Sequence, residues 1–296
     1  MLLRDALFET FQDWKEDLSD PWKKVFEHFE HTDLDYDSVD PNLEHFAWEP
    51  IFPSRKNNKI LGEPRGASTL AAFSGISPNK VKAVLIGQDP YPDISRATGR
   101  AFEQGDIDNF QEDSYRVTKS LRSILQVLAD YRMSTDRYTQ IDGYEQLVND
   151  IENKKIVLET RSKLFQKWVN EGVLLLNAGL TISRFGGKDS AYQHEGHIPF
   201  WEPVISRTLQ YLSERQNGHI VFILWGTKAQ GIFKKSDVEA TARKNDYWGT
   251  RIMKVVKNHP AYIPRGSSIP EFFMGKNALL EVNEALDTMN TKSIDW

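Results

Sequence analysis

The sequence contains no cysteine among its 296 residues, and it has no long apolar run. Without cysteine, disulfide scaffolds and thiolate metal sites are excluded. No apolar stretch approaches the roughly 20 residues that a membrane-spanning helix needs. Residues 1–9 carry charges every few positions, which predicts an amphipathic helix rather than a signal peptide. We therefore expect a protein that is neither secreted nor in a membrane, and that is cytoplasmic, or nuclear in a eukaryote.

Basic residues do not outnumber acidic ones: 37 Lys and Arg stand against 42 Asp and Glu, a formal net charge of −5. Proteins that bind nucleic acid usually neutralise phosphates with positive charge, so this balance gives no support for such binding. The acidity is concentrated, however, in residues 1–50, which hold 4 Lys or Arg and 14 Asp or Glu. The remaining chain is mildly basic and permits contact with a polyanion.

Four short runs of apolar and β-branched residues are typical of central strands, because each is too short for a buried helix and has polar or turn residues around it. They are Val81–Ile86, Val173–Leu176, His219–Leu224 and Ile252–Val256. Helical patterns lie at Ser120–Tyr131, Arg161–Asn170, Phe200–Arg215 and Lys276–Asn290. This alternation predicts an α/β fold, a three-layer sandwich with a central four-stranded, mainly parallel sheet and helices on both faces.

We expect residues 1–296 to form a single domain. Residues 1–50 are predicted as an acidic helical segment rich in Trp and Phe, and residues 132–159 as a highly charged, partly helical insertion. Two roles stay open for the acidic segment: it binds a protein partner, or it covers an edge of the sheet.

Polar residues follow three of the predicted strands. Asp89 comes shortly after the first, Asn177 directly after the second, and His259 after the fourth. In open parallel sheets, ligands bind beyond the carboxyl ends of the strands, so we expect these side chains to converge at one rim. An amide can read the hydrogen-bonding edge of a base, a carboxylate can orient water, and an imidazole can hold an anionic leaving group. Each also has a plain structural interpretation: a turn for Asp89, a helix cap for Asn177 and a packing role for His259.

A series of short motifs follows a fixed order along the chain. They are Gly87-Gln88-Asp89-Pro90-Tyr91, Ala97-Thr98-Gly99-Arg100-Ala101-Phe102, the run from Gly172 to Thr181, the run from Val221 to Gly226 with Ala229-Gln230, His259-Pro260, Phe272-Phe273 and Ile294-Asp295-Trp296. In this order they resemble the motifs of family-1 uracil-DNA glycosylases, from about residue 45 to residue 296. One short motif would be weak support, whereas several in register are strong support.

The resemblance implies a DNA repair enzyme that flips uracil out of DNA and hydrolyses its N-glycosidic bond without a cofactor. It implies that Asp89 positions the attacking water and stabilises the cationic transition state, and that His259 hydrogen-bonds the O2 oxygen of the leaving base. Further contacts with the base are implied for Gln88 through its backbone, Tyr91 by excluding the methyl group of thymine, Phe102 by stacking, and Asn177 by pairing with the pyrimidine edge. An aromatic residue at position 102 is equally consistent with ordinary core packing.

Three departures from the family pattern concern the grip on DNA. Pro92 replaces the usual His, and no Pro-rich Ser loop is recognisable near Gln111–Tyr115, where two acids would repel phosphate. The intercalation loop is predicted as Pro260, Ala261, Tyr262 and Ile263. In it Ala261 replaces Ser, Ile263 replaces the Leu wedge, and Tyr262 either stacks on DNA or is an ordinary exposed residue. We expect retained chemistry and a different grip, with the insertion as a candidate for replacement contacts.

Other functions stay open. One is hydrolysis of a different modified or damaged base, since Gly179 beside Asn177 and the altered loops could reshape the pocket. Another is a non-catalytic relative that binds DNA or a partner, against which the presence of both Asp89 and His259 counts. The run His194-Glu195-Gly196-His197 superficially suggests a metal site, but without a supporting motif we predict a polar loop and no metal. We expect a monomer that acts on DNA without a cofactor or membrane contact.

Overall fold

Four strands form one sheet in the computed structural model, which describes residues 1–30, 33–183, 190–215 and 218–296, those at 190–195 by their backbone. The strand order is β2-β1-β3-β4. The strands are β1 (Ala83–Gly87), β2 (Val173–Asn177), β3 (Ile220–Trp225) and β4 (Ile252–Lys257). Each apolar run predicted as a strand is one, and all pairings are parallel, where the sequence predicts a mainly parallel sheet.

The described helices are α1 (Leu3–Thr10), α2 (Asp20–Val25), α3 (Lys119–Met133), α4 (Gly143–Glu152), α5 (Arg161–Asn170), α6 (Ser190–Glu214), α7 (Thr227–Lys235), α8 (Val238–Lys244) and α9 (Ala278–Thr288). The helices predicted at Ser120–Tyr131, Arg161–Asn170 and Lys276–Asn290 are present within a few residues of these bounds, as α3, α5 and α9. Within the described ranges, no helix combines the length and the apolar character needed to cross a bilayer.

Helix α6 begins ten residues before the predicted start at Phe200, so the prediction of a polar loop at residues 194–197 is wrong. The helix continues through Pro199 and Pro203. Phe200 and Trp201 are fully buried. Packing of such an apolar face stabilises a helix more than intrinsic propensity does, which explains why polar residues in the first turns and two prolines do not end it.

Helices cover both faces of the sheet because the connections are right-handed. The chain passes from β1 to β2 through α3, α4 and α5, and then in the opposite direction from β2 to β3 through α6, so these connections lie on opposite faces. Helix α9 contacts β3, β4 and α3, whereas α7 contacts β1, β3 and α6. Every residue of β1, β2 and β3 is buried, as a three-layer sandwich requires.

The acidic N-terminal segment packs into this core through its aromatic residues. Trp22 is fully buried, its ring centroid lies 4.8 Å from that of Phe73, and its indole N–H donates to the carbonyl of Ile76 at 2.7 Å. Trp14 packs edge-on against Trp201 of α6, with 6.3 Å between the ring centroids. Among the described residues at 1–30 and 33–50, regular α-helix is confined to α1 and α2, and the rest consists mainly of turns and short 3-10 segments.

We expect Trp22→Phe to lower the free energy of unfolding by about 1–3 kcal/mol, because the buried carbonyl of Ile76 loses its donor. The matched control is Trp48→Phe, at a side chain that is 77% exposed, which should change the free energy by less than about 0.5 kcal/mol. Urea denaturation of both variants measures the difference. Equal effects would show that residues 1–50 do not belong to the cooperative core.

Candidate active site

The carboxyl end of the sheet is shaped by a glycine opposite an asparagine. β1 ends at Gly87 and β2 at Asn177, and the two residues are register partners. A Cβ atom at Gly87 would collide with Oδ1 of Asn177. Beyond the strands, the N–H groups of Ala178 and Gly179 donate to the carbonyls of Gly87 and Gln88, both at 2.9 Å. Residue 87 therefore has to be glycine for the Asn177 amide to stand beside the loop that carries Asp89.

A cavity of about 170 Å³ opens at this rim. A cavity of about 150 Å³ accommodates a benzene ring in a protein interior, so one pyrimidine ring fits here. Its lining includes all six residues predicted to act on the base, namely Gln88, Asp89, Tyr91, Phe102, Asn177 and His259. The structure thus brings together side chains from three distant parts of the sequence, while the role of each stays a prediction.

The Asn177 side chain is available to a ligand. Asn177 is 2% exposed, and its amide has no hydrogen-bond partner among the residues that the structure describes. The amide lines the cavity, where a ligand with one donor and one acceptor on adjacent atoms can pair with it.

Two aromatic residues are held in place on the cavity wall. The Tyr91 hydroxyl lies 2.9 Å from Oγ1 of Thr118 and 3.5 Å from the carbonyl oxygen of Phe102. Burial raises the pKa of Tyr91 to about 12, so the phenol stays protonated. Phe102 adopts a φ of 62°, in the left-handed region that residues with side chains seldom occupy. Its ring lies 6.1 Å from the imidazole of His259, and such a strained backbone is common at functional sites.

The imidazole of His259 presents a hydrogen-bond donor at the exposed edge of the cavity. The backbone N–H of Ala261 donates to Nδ1 at 3.2 Å, so the neutral ring carries its proton on Nε2. Desolvation by the surrounding protein lowers the pKa of His259 from its ordinary value of 6.5, and the negative charge of Asp89 opposes that change. Gly226, with a φ of 96°, permits the close approach, since a Cβ there would lie 3.0 Å from Cβ of His259.

Residues 73–287 match the family model of the Uracil DNA glycosylase superfamily. The chain belongs to this superfamily. It is 30% identical to the uracil-DNA glycosylase of Pediococcus pentosaceus over 225 residues, which cover 76% of this chain and 75% of the relative. It is 28% identical to that of Mycoplasmopsis pulmonis, over 83% of this chain and 87% of the relative.

Solved structures of the superfamily share the fold. The UNG of Nitratifractor salsuginis superposes with a TM-score of 0.56 at 22% identity and covers 97% of this chain and 98% of its own. Mimivirus uracil-DNA glycosylase gives a TM-score of 0.55 at 18% identity, over 100% of this chain and 93% of the viral one. At these identities the likeness concerns the architecture alone.

Sequence reasoning missed three polar residues of this superfamily member's site. No Pro-rich Ser loop is recognisable near Gln111–Tyr115, and the serine that lines the cavity is Ser120, in the first turn of α3. The position of Ser120 in the sequence could have indicated this, because the residue lies at the start of the helix that follows β1. Helices that follow parallel strands begin at the carboxyl end of the sheet. Thr98 and Arg100 also line the cavity, although the Arg100 guanidinium points to the carbonyls of Ala71 and Ser74.

The predicted intercalation loop forms the edge of the site. Pro260 is buried, whereas Tyr262 and Ile263 are 51% and 45% exposed. The loop is fixed at Tyr262, whose N–H donates to the His259 carbonyl at 2.8 Å and whose carbonyl accepts the N–H of Glu271 at 3.1 Å. An exposed apolar side chain on a fixed loop suits a wedge that enters a base stack.

The metal-like run in α6 has a structural role at its last residue. His197 is buried, with Nδ1 2.8 Å from Oγ1 of Thr181 and Nε2 2.9 Å from Oγ of Ser183. Both ring nitrogens therefore contact hydroxyl groups. The side chains of His194 and Glu195 lie outside the described residues.

We expect the imidazole of His259 to titrate below 6.5 in the folded protein, and Asp89→Asn to lower this pKa further, because the carboxylate charge favours the imidazolium. The signal of the His259 Cε1 proton, followed by NMR against pH, measures both values. Asp93→Asn is the matched control. The Asp93 carboxylate lies in the same loop as Asp89 but accepts a hydrogen bond from the hydroxyl of Ser95, so its loss should leave the His259 titration unchanged. A higher pKa in Asp89→Asn would contradict the assigned coupling.

Proposed function

We propose that this protein is a monofunctional uracil-DNA glycosylase, which flips uracil out of DNA and hydrolyses the bond between the base and deoxyribose. The observation that carries the proposal is the convergence of Asp89, Asn177 and His259 on one cavity that matches a single base in size. Membership of the superfamily and the names of the relatives support it.

Recognition of uracil follows from the groups on the cavity wall. Uracil presents a carbonyl acceptor and an N–H donor on adjacent ring atoms, which the Asn177 amide complements, whereas cytosine presents the reversed pattern. Tyr91 occupies the position where the 5-methyl group of thymine would lie. Its ring is held by the bond to Thr118, so exclusion of the methyl group needs no movement of the wall. Phe102 supplies a ring on which the flipped base stacks.

Hydrolysis needs charge stabilisation on both sides of the bond that breaks. As the C1′–N1 bond opens, its electron pair leaves with uracil and positive charge develops on the sugar. The Asp89 carboxylate stabilises that charge and orients the water that adds to C1′, while Nε2–H of His259 donates a hydrogen bond to the developing anion at O2. The proton that the water loses on forming the C1′–O bond neutralises the released uracil anion. A uracil anion leaves more readily than a sugar alkoxide, which explains why one carboxylate replaces the pair found in most glycosidases.

Strand cleavage should not accompany base release. Schiff-base chemistry needs an amine at the sugar, and among the described residues that line the cavity there is no lysine.

The first turn of α3, with Ser120, supplies hydrogen-bond donors for a phosphate next to the flipped nucleotide.

The alternative of a different modified base receives little support from Gly179. A Cβ there would lie 2.9 Å from Cγ1 of Ile198, so this glycine serves helix packing and does not enlarge the cavity.

For the acidic segment, residues 1–50, the burial of Trp14 and Trp22 favours the role of covering the fold. A monomeric state, an intracellular location and a protein partner for that segment stay predictions.

We expect the wild-type protein to release uracil from an oligonucleotide with one uracil, and Asp89→Asn to slow single-turnover release by about 10²–10³-fold, because a charge that stabilises the transition state is lost. Alkaline cleavage of the abasic product and gel electrophoresis measure the rate. Asp93→Asn is the matched control and should stay within about twofold of the wild type, since surface changes outside the site have small effects. Release of another base but not uracil would assign a different substrate, and release of no base would indicate a non-catalytic relative.

We expect Tyr91→Ala to lower the preference for uracil over thymine by at least about tenfold, because removal of the ring opens room for the methyl group. Tyr91→Phe keeps the ring and loses only the bond to Thr118, so it should keep most of the preference. Ratios of kcat/KM on matched uracil and thymine oligonucleotides give the result. If Tyr91→Ala still excises uracil but releases no thymine, the ring of Tyr91 is not the group that excludes thymine.

A further inference from the structure

A second hollow, of about 290 Å³, lies beside the catalytic cavity. We call it the insertion groove. Its walls come from three elements: the first two turns of α3, residues 140–145 of the insertion, and the chain from Ala261 to Phe273. None of the motifs that identify the superfamily accounts for the insertion wall.

Two short segments separate the groove from the cavity. In α3, Ser120 lines the cavity and Lys119 lines the groove. After β4, His259 lines the cavity, and Ala261 and Ile263 line the groove. The groove therefore begins where the catalytic cavity ends, and the exposed wedge candidate Ile263 is one of the residues that line the groove.

The insertion wall is fixed in place by buried bonds to α3. The Asp130 carboxylate accepts the backbone N–H groups of Tyr138 and Thr139, at 2.9 and 3.0 Å. Nε2 of Gln126 donates to the Tyr138 carbonyl at 2.6 Å. The guanidinium of Arg122 lies 4.7 Å from the ring centroid of Tyr144. This wall is thus formed before any ligand arrives.

The groove's chemistry suits a base better than a phosphate. Its cations, Lys119 and Arg122, are balanced by Asp142 and Glu145, so it has little net attraction for a polyanion. Its apolar surface includes Ile141, which is 66% exposed at the rim. Apolar side chains, amides and carboxylates together can contact the face and the polar edge of an unpaired base.

We propose that the insertion groove receives the orphaned base opposite the flipped uracil and holds it against Ile141. This rests on the proposed function. Flipping places uracil in the cavity, the wedge fills the vacated place in the stack, and the partner base lies on the far side of that place. Because Ile263 lines the groove, a wedge at this residue lies beside a base that the groove holds.

The test is Ile141→Ser, assayed on a uracil oligonucleotide in single-stranded and double-stranded form. Loss of an apolar contact with the opposite strand should raise KM for the duplex by roughly three- to tenfold and leave KM for the single strand unchanged. The slope of duplex affinity against salt concentration should also stay unchanged, because no phosphate contact is lost. Val157→Ser is the matched control, since Val157 is a 77% exposed apolar residue of the same insertion that does not line the groove.

Single-strand activity of Ile141→Ser shows that the variant is folded. An equal rise in KM on both substrates, no change on either, or the same duplex effect from Val157→Ser would overturn the proposal. If the wild-type protein releases uracil from neither substrate, the proposed function itself has failed, which is a separate outcome.

Discussion

The parallel pairing of β1 with β2 is the constraint on which the site depends. Their register ends with Gly87 opposite Asn177, and the missing side chain at Gly87 leaves room for the amide. The same pairing continues as hydrogen bonds between the loops beyond the strands, so the segment with Asp89 runs beside the segment after Asn177. A base that enters the cavity thus meets a carboxylate and an amide whose separation is set by backbone bonds.

The imidazole depends on a second close approach, between the ends of β3 and β4. Gly226 donates its N–H to the carbonyl of Lys257 and has no Cβ to push His259 away. Two opposing effects then act on the ring: desolvation disfavours the imidazolium, and the charge of Asp89 favours it. The bond from Ala261 to Nδ1 leaves Nε2 as the nitrogen that carries the proton, on a ring that lines the cavity. A neutral donor is well suited to an anionic leaving group, because it stabilises the anion without having to give up its proton.

The predicted insertion, residues 132–159, forms a surface beside the site through bonds to α3. Helix α3 already carries Ser120 at the cavity, and its next turns provide Gln126 and Asp130, which hold the inserted chain. The wedge loop supplies the opposite wall. Pro92 and Ala261 are predicted to change the grip on DNA, and this wall, beside the predicted wedge Ile263, is located where a replacement contact would be useful.

The sequence by itself determined the sheet, most helices and the convergence of Asp89, Asn177 and His259, while its resemblance to a known family indicated Gln88, Tyr91 and Phe102. Short apolar runs with turn residues around them favour central strands, and polar residues after parallel strands lie at one rim. The tertiary structure alone decided the rest. The extended start of α6 depends on the burial of Phe200 and Trp201, the role of Ser120 depends on where α3 begins, and the insertion groove depends on bonds between residues distant in sequence. Such contacts leave no local pattern, because hydrogen bonds and packing between separate elements are specified by the fold and not by neighbouring residues.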